Sequence, residues 1–172
     1  APMPWEHKVN KCAAPSPAPN RDWSADALCR GIARYFAARG FTSLPEFKLG
    51  NGRRADLAAI DRTGIIVLVE IKTHVQDWRG DRKWPSYLDF CNQFYFAVPP
   101  DFPRAPLAAS AAQPHRTGLL IADEYGAALA REAAMVKLNA ARRRAETLRF
   151  ARTAAARLHA NLDPGFVQSW RA

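Results

Sequence analysis

The chain has 172 residues, with 25 lysines and arginines against 16 acids, a formal charge of +9 and a pI near 10.0. That length builds one core without disulfides; three scattered cysteines (Cys12, Cys29, Cys91) exclude a disulfide framework or zinc cluster, and no apolar run approaches the ~20 residues of a membrane span. The basic excess favours a polyanionic partner, and the absence of a basic-then-apolar leader pattern points to a cytoplasmic location.

Residues 1–21 hold five prolines and little periodicity, which predicts a flexible arm ahead of a single domain over residues 22–172. Residues 23–39 then read as a helix. Leu28, Ile32, Tyr35 and Phe36 form one stripe, Asp22 or Ser24 can cap the start, and Gly40 fits a left-handed stop. Three strands follow, over residues 44–49, 53–61 and 65–72, with turns at Gly50-Asn51-Gly52 and Asp61-Arg62-Thr63-Gly64.

If each turn is a three-residue loop ending in a left-handed glycine, Leu49 faces Arg53 and Asp61 faces Ile65. Counting along the strands then sets Glu46 opposite Asp56 and Asp56 opposite Glu70, with opposed Cβ atoms ~5 Å apart. Lys72 stands one step beyond Glu70 on the same side. The other side would carry Phe47, Leu49, Ala55, Leu57, Ala59, Val67, Val69 and Ile71 for the first helix to cover, leaving the carboxylates on an open functional face.

Downstream, residues 73–83 are too polar for a core element and read as a loop. A helix is expected from about Trp84, with Pro85 in its first turn, and a fourth strand over residues 94–98. Residues 101–114 read as a Pro- and Ala-rich loop, and residues 119–130 as a hairpin turned at Asp123-Glu124-Tyr125-Gly126. A long helix over residues 137–162 closes the pattern. Its apolar stripe is Ala141, Ala145, Leu148, Ala151, Ala155, Leu158 and Leu162, and its arginines occupy the remaining faces.

Two or three carboxylates on adjacent strands suit a hydrated divalent cation such as Mg²⁺ or Mn²⁺, which takes oxygen ligands and keeps waters. A nearby ammonium can orient water or offset charge on a phosphate. Asp56, Glu70 and Lys72 supply these groups, with Glu46 as a third acid. The bland alternative is a Glu70–Lys72 pair marking a solvated strand end. Arg53, Arg54, Arg79, Arg82 and Lys83 surround this stretch and can grip phosphates, and Trp84 can stack on a base or anchor the segment to the core. Arg142 and Arg143 on the last helix can follow a duplex backbone or sit on a solvated face.

Asp56, a turn, then Glu70-Ile71-Lys72, in helix–meander–helix–strand order, resemble the PD-(D/E)XK nuclease superfamily, with Ala55 where that motif has proline. The segments NGRRADLAAID, VEIKTHVQDWRGDRKWPSYLDFCNQFYFAVP, GLLIADEYGA and ARRRAETLRFARTAAARL are similar to the MmcB family of DNA repair proteins over roughly residues 23–162. The resemblance implies an α/β fold with a restriction-endonuclease-like core: a mixed sheet with an antiparallel three-strand meander flanked by helices, plus the long C-terminal helix. It also implies a nucleoid-associated role in bacterial DNA repair beside other repair proteins. Asp56, Glu70 and the carbonyl of Ile71 would be metal ligands, with Glu46 a loose match to an upstream acid, and Lys72 would position water. The expectation is a metal-dependent DNA endonuclease; a non-catalytic DNA-binding platform and an RNA-directed enzyme stay open.

Overall fold

The computed structural model describes residues 23–165. The proposed Pro-rich arm and Cys12 lie outside the described residues; Cys29 and Cys91 are free thiols. Helix α1 spans Ala25–Ala37, with the Ser24 hydroxyl accepting from the N–H of Ala27 and Leu28, Ile32 and Phe36 buried as one stripe. Strands β1 (Phe41–Lys48), β2 (Arg54–Asp61) and β3 (Ile66–Ile71) form the antiparallel meander. Helix α2 (Val75–Gly80) and a 3-10 segment (Trp84–Phe90) lead to β4 (Gln93–Val98). A short helix α3 (Ala105–Ala108) precedes β5 (Gly118–Ala122) and β6 (Ala127–Arg131), and α4 (Ala140–Leu162) follows. The six strands lie in chain order, β3, β4 and β5 parallel to one another and the remaining neighbours antiparallel. This is the mixed, helix-flanked α/β sheet expected from the sequence.

Both meander turns have the anticipated register. Leu49 N–H donates to Arg53 and Asp61 N–H to Ile65, and Gly52 and Gly64 adopt φ of 81° and 82°. Such positive φ suits glycine, which has no Cβ to meet the neighbouring carbonyl. Asp61 reinforces the second turn by accepting from the backbone N–H groups of Thr63 and Ile65.

The division of faces departs from expectation. Leu57, Ala59, Val67, Val69 and Ile71 pack with α1, but Phe47, Leu49 and Ala55 join the cluster on the opposite face, with Trp84, Phe94 and Phe96. In β1 the break is at Glu46, whose φ of 51° is left-handed for a non-glycine residue, so side chains on either side of it lose their alternation; Ala55 of β2, paired with Phe47, lies on the same face as Phe47. Arg157 of α4 donates to the carbonyls of Pro45 and Glu46 and holds the kink in place. Consequently no face of the sheet is open: one is covered by α1, the other by aromatic residues from the connections and by α4.

Three further segments differ from the sequence reading. The polar stretch after β3 contains α2, the segment from Trp84 is 3-10 rather than α, and the Pro- and Ala-rich loop holds α3. More consequentially, α4 docks with the face opposite its apolar stripe. Glu146, only 2% exposed, accepts from the N–H of Gly50 and lies 3.5 Å from Nε of Arg149. Phe150 packs on Phe47, while Arg142 donates to the Asp89 carbonyl and covers the Phe90 ring. These anchors offer backbone hydrogen bonds and aromatic area that alanines cannot match. Leu148, Leu158 and Leu162 therefore stand 59%, 60% and 77% exposed.

Candidate active site

The site begins where β2 and β3 separate. Their pairing runs to Leu57 opposite Val69; at the next step Asp56 Oδ2 accepts from the N–H of Ile71 at 2.7 Å. A carboxylate thus takes a backbone donor at the end of the ladder, which fixes Asp56 beside Glu70. Glu70 belongs to the most apolar strand, every residue of which is buried, because β3 is central in the sheet. Glu70 is only 9% exposed and Lys72 only 5%.

Lys72 Nζ donates to Glu70 Oε1 at 3.2 Å and to Asp81 Oδ2 at 2.6 Å. The other Asp81 oxygen accepts from the N–H groups of Lys83 and Trp84, capping the 3-10 segment. Asp81 is therefore a site residue that the sequence reading placed only in a polar loop. Its signal was present: an Asp whose carboxylate can reach N–H groups two and three residues on, just before a Pro-containing turn, is a capping pattern.

Three carboxylates and one ammonium share this partly dry space. Burial, followed by the charge of Asp56, pushes Glu70 up to about 8, against pulls from Lys72. Burial also raises Asp56, although the Ile71 N–H and Lys72 oppose it. For Lys72, burial disfavours the ammonium, but Glu70 and Asp81 outweigh it and the pKa rises. Asp81 is held below the ordinary carboxylate value because its bonds to Lys72, Lys83 and Trp84 overcome its burial. Glu70 Oε2 is buried and has no hydrogen-bond partner. Fully ionised, the group would carry two uncompensated negative charges, which a proton on Glu70 relieves and a divalent cation would relieve better.

The donor set fits such an ion: two oxygen-bearing side chains on adjacent strands, one with an orphaned oxygen. Among the described residues no group of three or more His, Cys, Asp or Glu side chains is placed to hold a metal ion, so an ion held by these two carboxylates would be completed by backbone and water. Glu46 lies across from Asp56 in register, between the Pro45–Leu57 and Phe47–Ala55 pairs, but its carboxylate is half exposed and pairs with Arg54 at 2.5 Å. Its charge still acts on Asp56, adding to the burial that raises it, but it makes no hydrogen bond in the buried cluster, so of the anticipated row of four, Asp56, Glu70 and Lys72 form the enclosed part.

The basic residues remain at the surface. Arg53, Arg54, Arg79, Arg82 and Lys83 are exposed, and so are Arg142 and Arg143 on α4. Trp84 does not join them; it is buried, stacked on Phe94 and edge-on to Phe96, and has no free face for a base. Trp78 of α2 stacks on Trp84 and meets Phe96 edge-on, so the aromatics interleaved with the basic residues anchor this segment to the core. His74 contacts Thr73 and the Asp77 carboxylate rather than Asp56, Glu70 or Asp81.

Fold and site together define a mixed α/β protein with a carboxylate–lysine centre at the split of two central strands. A solved structure described as the SPO1766 protein of unknown function from Silicibacter pomeroyi is similar to it, with 37% identity and a TM-score of 0.76 over 86% of this chain and 97% of that one. No protein of curated function matches the chain. The family model for MmcB-like DNA repair proteins matches residues 14–165, and the chain belongs to that family. Its place is accordingly in DNA repair. No described helix is long and apolar enough to cross a membrane.

Proposed function

We propose that this protein is a Mg²⁺- or Mn²⁺-dependent DNA endonuclease with a PD-(D/E)XK-type centre, and that Asp56, Glu70 and Lys72 carry phosphodiester hydrolysis. The observation supporting this most directly is the buried, unpartnered Oε2 of Glu70 beside Asp56. Asp56 and Glu70 would hold the ion, with the Ile71 carbonyl as a further oxygen. Once bound, the ion supplies an acidified water and a counter-charge for the phosphate. Lys72 has three donors, of which Glu70 and Asp81 engage two, leaving one N–H for a water or a phosphate oxygen. Because its pKa is raised, Lys72 acts as a fixed cation and donor rather than as a base. Exposed Arg53, Arg79, Arg82 and Lys83 would grip the flanking backbone.

The test is incubation of purified protein with nicked, branched and single-stranded DNA in Mg²⁺ or Mn²⁺, then with EDTA. Metal-dependent cutting should fall by about 10²–10³-fold in Asp56→Ala. Cutting that survives the substitution sinks the site. A binding-only platform is favoured by one observation, the engagement of Lys72 by Asp81 next to α2. Tight DNA binding with no cutting under any metal would establish that reading instead, and cutting confined to RNA would establish the RNA-directed one.

The proton on Glu70 gives a second expectation. Since Glu70 holds a proton up to about pH 8 in the metal-free protein, a bound ion must displace it. Apparent Mn²⁺ affinity should rise by up to about tenfold per pH unit between pH 6 and 8, then level off. Titration calorimetry in buffers of different ionisation enthalpy should show release of about one proton at pH 7. A pH-independent affinity would remove Glu70 from the ligand set.

A further inference from the structure

We infer that the outward face of α4 is a docking surface for an acidic amphipathic helix of a partner protein. The stripe from Ala141 to Leu162 lies diametrically opposite the Glu146–Phe150–Arg157 face that binds the sheet, and every one of its seven positions is exposed. Its steps of 4, 3, 3, 4, 3 and 4 residues keep all seven positions on one side of the helix over 21 residues. About 30 Å of helix is available on this side. Alanine at four of the seven positions permits close approach, and Leu148, Leu158 and Leu162 supply the apolar contacts.

Charge selects the occupant. Helix α4 carries six arginines and a single acid, and that acid, Glu146, is turned into the core. A groove of about 480 Å³ runs between the β2–β3 turn and α4, where Thr63 and Gly64 face Arg143, Arg144, Thr147 and Leu148. No acid among the described residues forms an ion pair with Arg143 or Arg144. A second copy would bring one arginine-rich helix against another. A duplex would meet the arginines but has no use for exposed leucines spaced over two heptads. A helix with its own apolar seam and glutamates along its flanks satisfies both features.

A fluorescent synthetic peptide of about four heptads, with a Leu/Ala seam flanked by glutamates, tests this against the full chain by anisotropy. A twin with lysines replacing the glutamates is the control. The acidic peptide should bind at least about tenfold more tightly than its twin. Leu148→Glu/Leu158→Glu should weaken it at least about tenfold, and Arg143→Glu/Arg144→Glu similarly. Circular dichroism and Tm of both variants should match the wild type, because all four positions are exposed. Equal binding of the two peptides, no binding, or indifference to the leucines overturns the inference. Sedimentation showing a dimer that Leu158→Glu dissociates would assign the face to a second copy. Loss of duplex affinity in the leucine variant would assign it to DNA.

Discussion

Glu70→Gln is expected to abolish metal-dependent cleavage and, at alkaline pH, to stabilise the metal-free protein. Glu70 has its folded pKa raised from 4.5 to about 8, so between those values the native state binds more protons than the unfolded chain. Stability contributed by this group therefore falls as pH rises through the window and is lowest above pH 8. Glutamine keeps the size and the neutral, hydrogen-bonding character of protonated Glu70 but never acquires the buried charge. Near pH 5 the two proteins should melt alike. At pH 8.5 the variant should be more stable by up to about 4 kcal/mol, on the order of 10 °C in Tm. Added Mn²⁺ should reverse the order by stabilising only the wild type. Thermal melts at two pH values with and without Mn²⁺ measure all of this, and a variant less stable than wild type at pH 8.5 would contradict the assigned strain.

That strain was partly legible in the sequence, because it arises from local rules. Gly52 and Gly64 announce left-handed turn positions, each turn sets a register, and register places Asp56 next to Glu70. Those steps involve neighbours within a few residues. What could not be read depends on distant partners. Glu46, on a left-handed backbone, stays outside the enclosed cluster, and the group holding that kink is Arg157, 111 residues away. The docking face of α4 is likewise decided by Gly50, Phe47 and the carbonyls of β1, so a stripe of alanine and leucine was a poor guide to what is buried. Asp81 reads locally as a cap, which it is; its second oxygen on Lys72 is a tertiary fact.

The same site makes Lys72→Met the most damaging substitution expected for stability. Lys72 and Asp81 are an ion pair with both side chains nearly enclosed, and Glu70 shares the ammonium. Asp81, held below its ordinary 3.8, contributes stability above that value that is lost as pH falls through its folded pKa. Lys72, held above 10.5, contributes below that value and loses it as pH rises through its folded pKa. The pair is thus at full strength from weakly acid to alkaline pH. Removing the cation alone leaves the ionised Asp81 buried without its counter-charge beside a Glu70 that is already protonated, costing about 3–5 kcal/mol, on the order of 10 °C in Tm. The loss should shrink as pH falls toward about 4, where Asp81 of the variant can take up a proton. Lys72→Met/Asp81→Asn removes both charges and should recover much of the stability, since an absent pair is far less costly than half of one. Activity should not return with it, because Lys72 is the donor assigned to the water or the phosphate. Denaturant melts of the single and double variants beside their cleavage rates separate the two roles of this lysine: a double variant as unstable as the single one would mean that Asp81 is not its counter-ion, and cleavage restored along with stability would mean that Lys72 serves the fold alone.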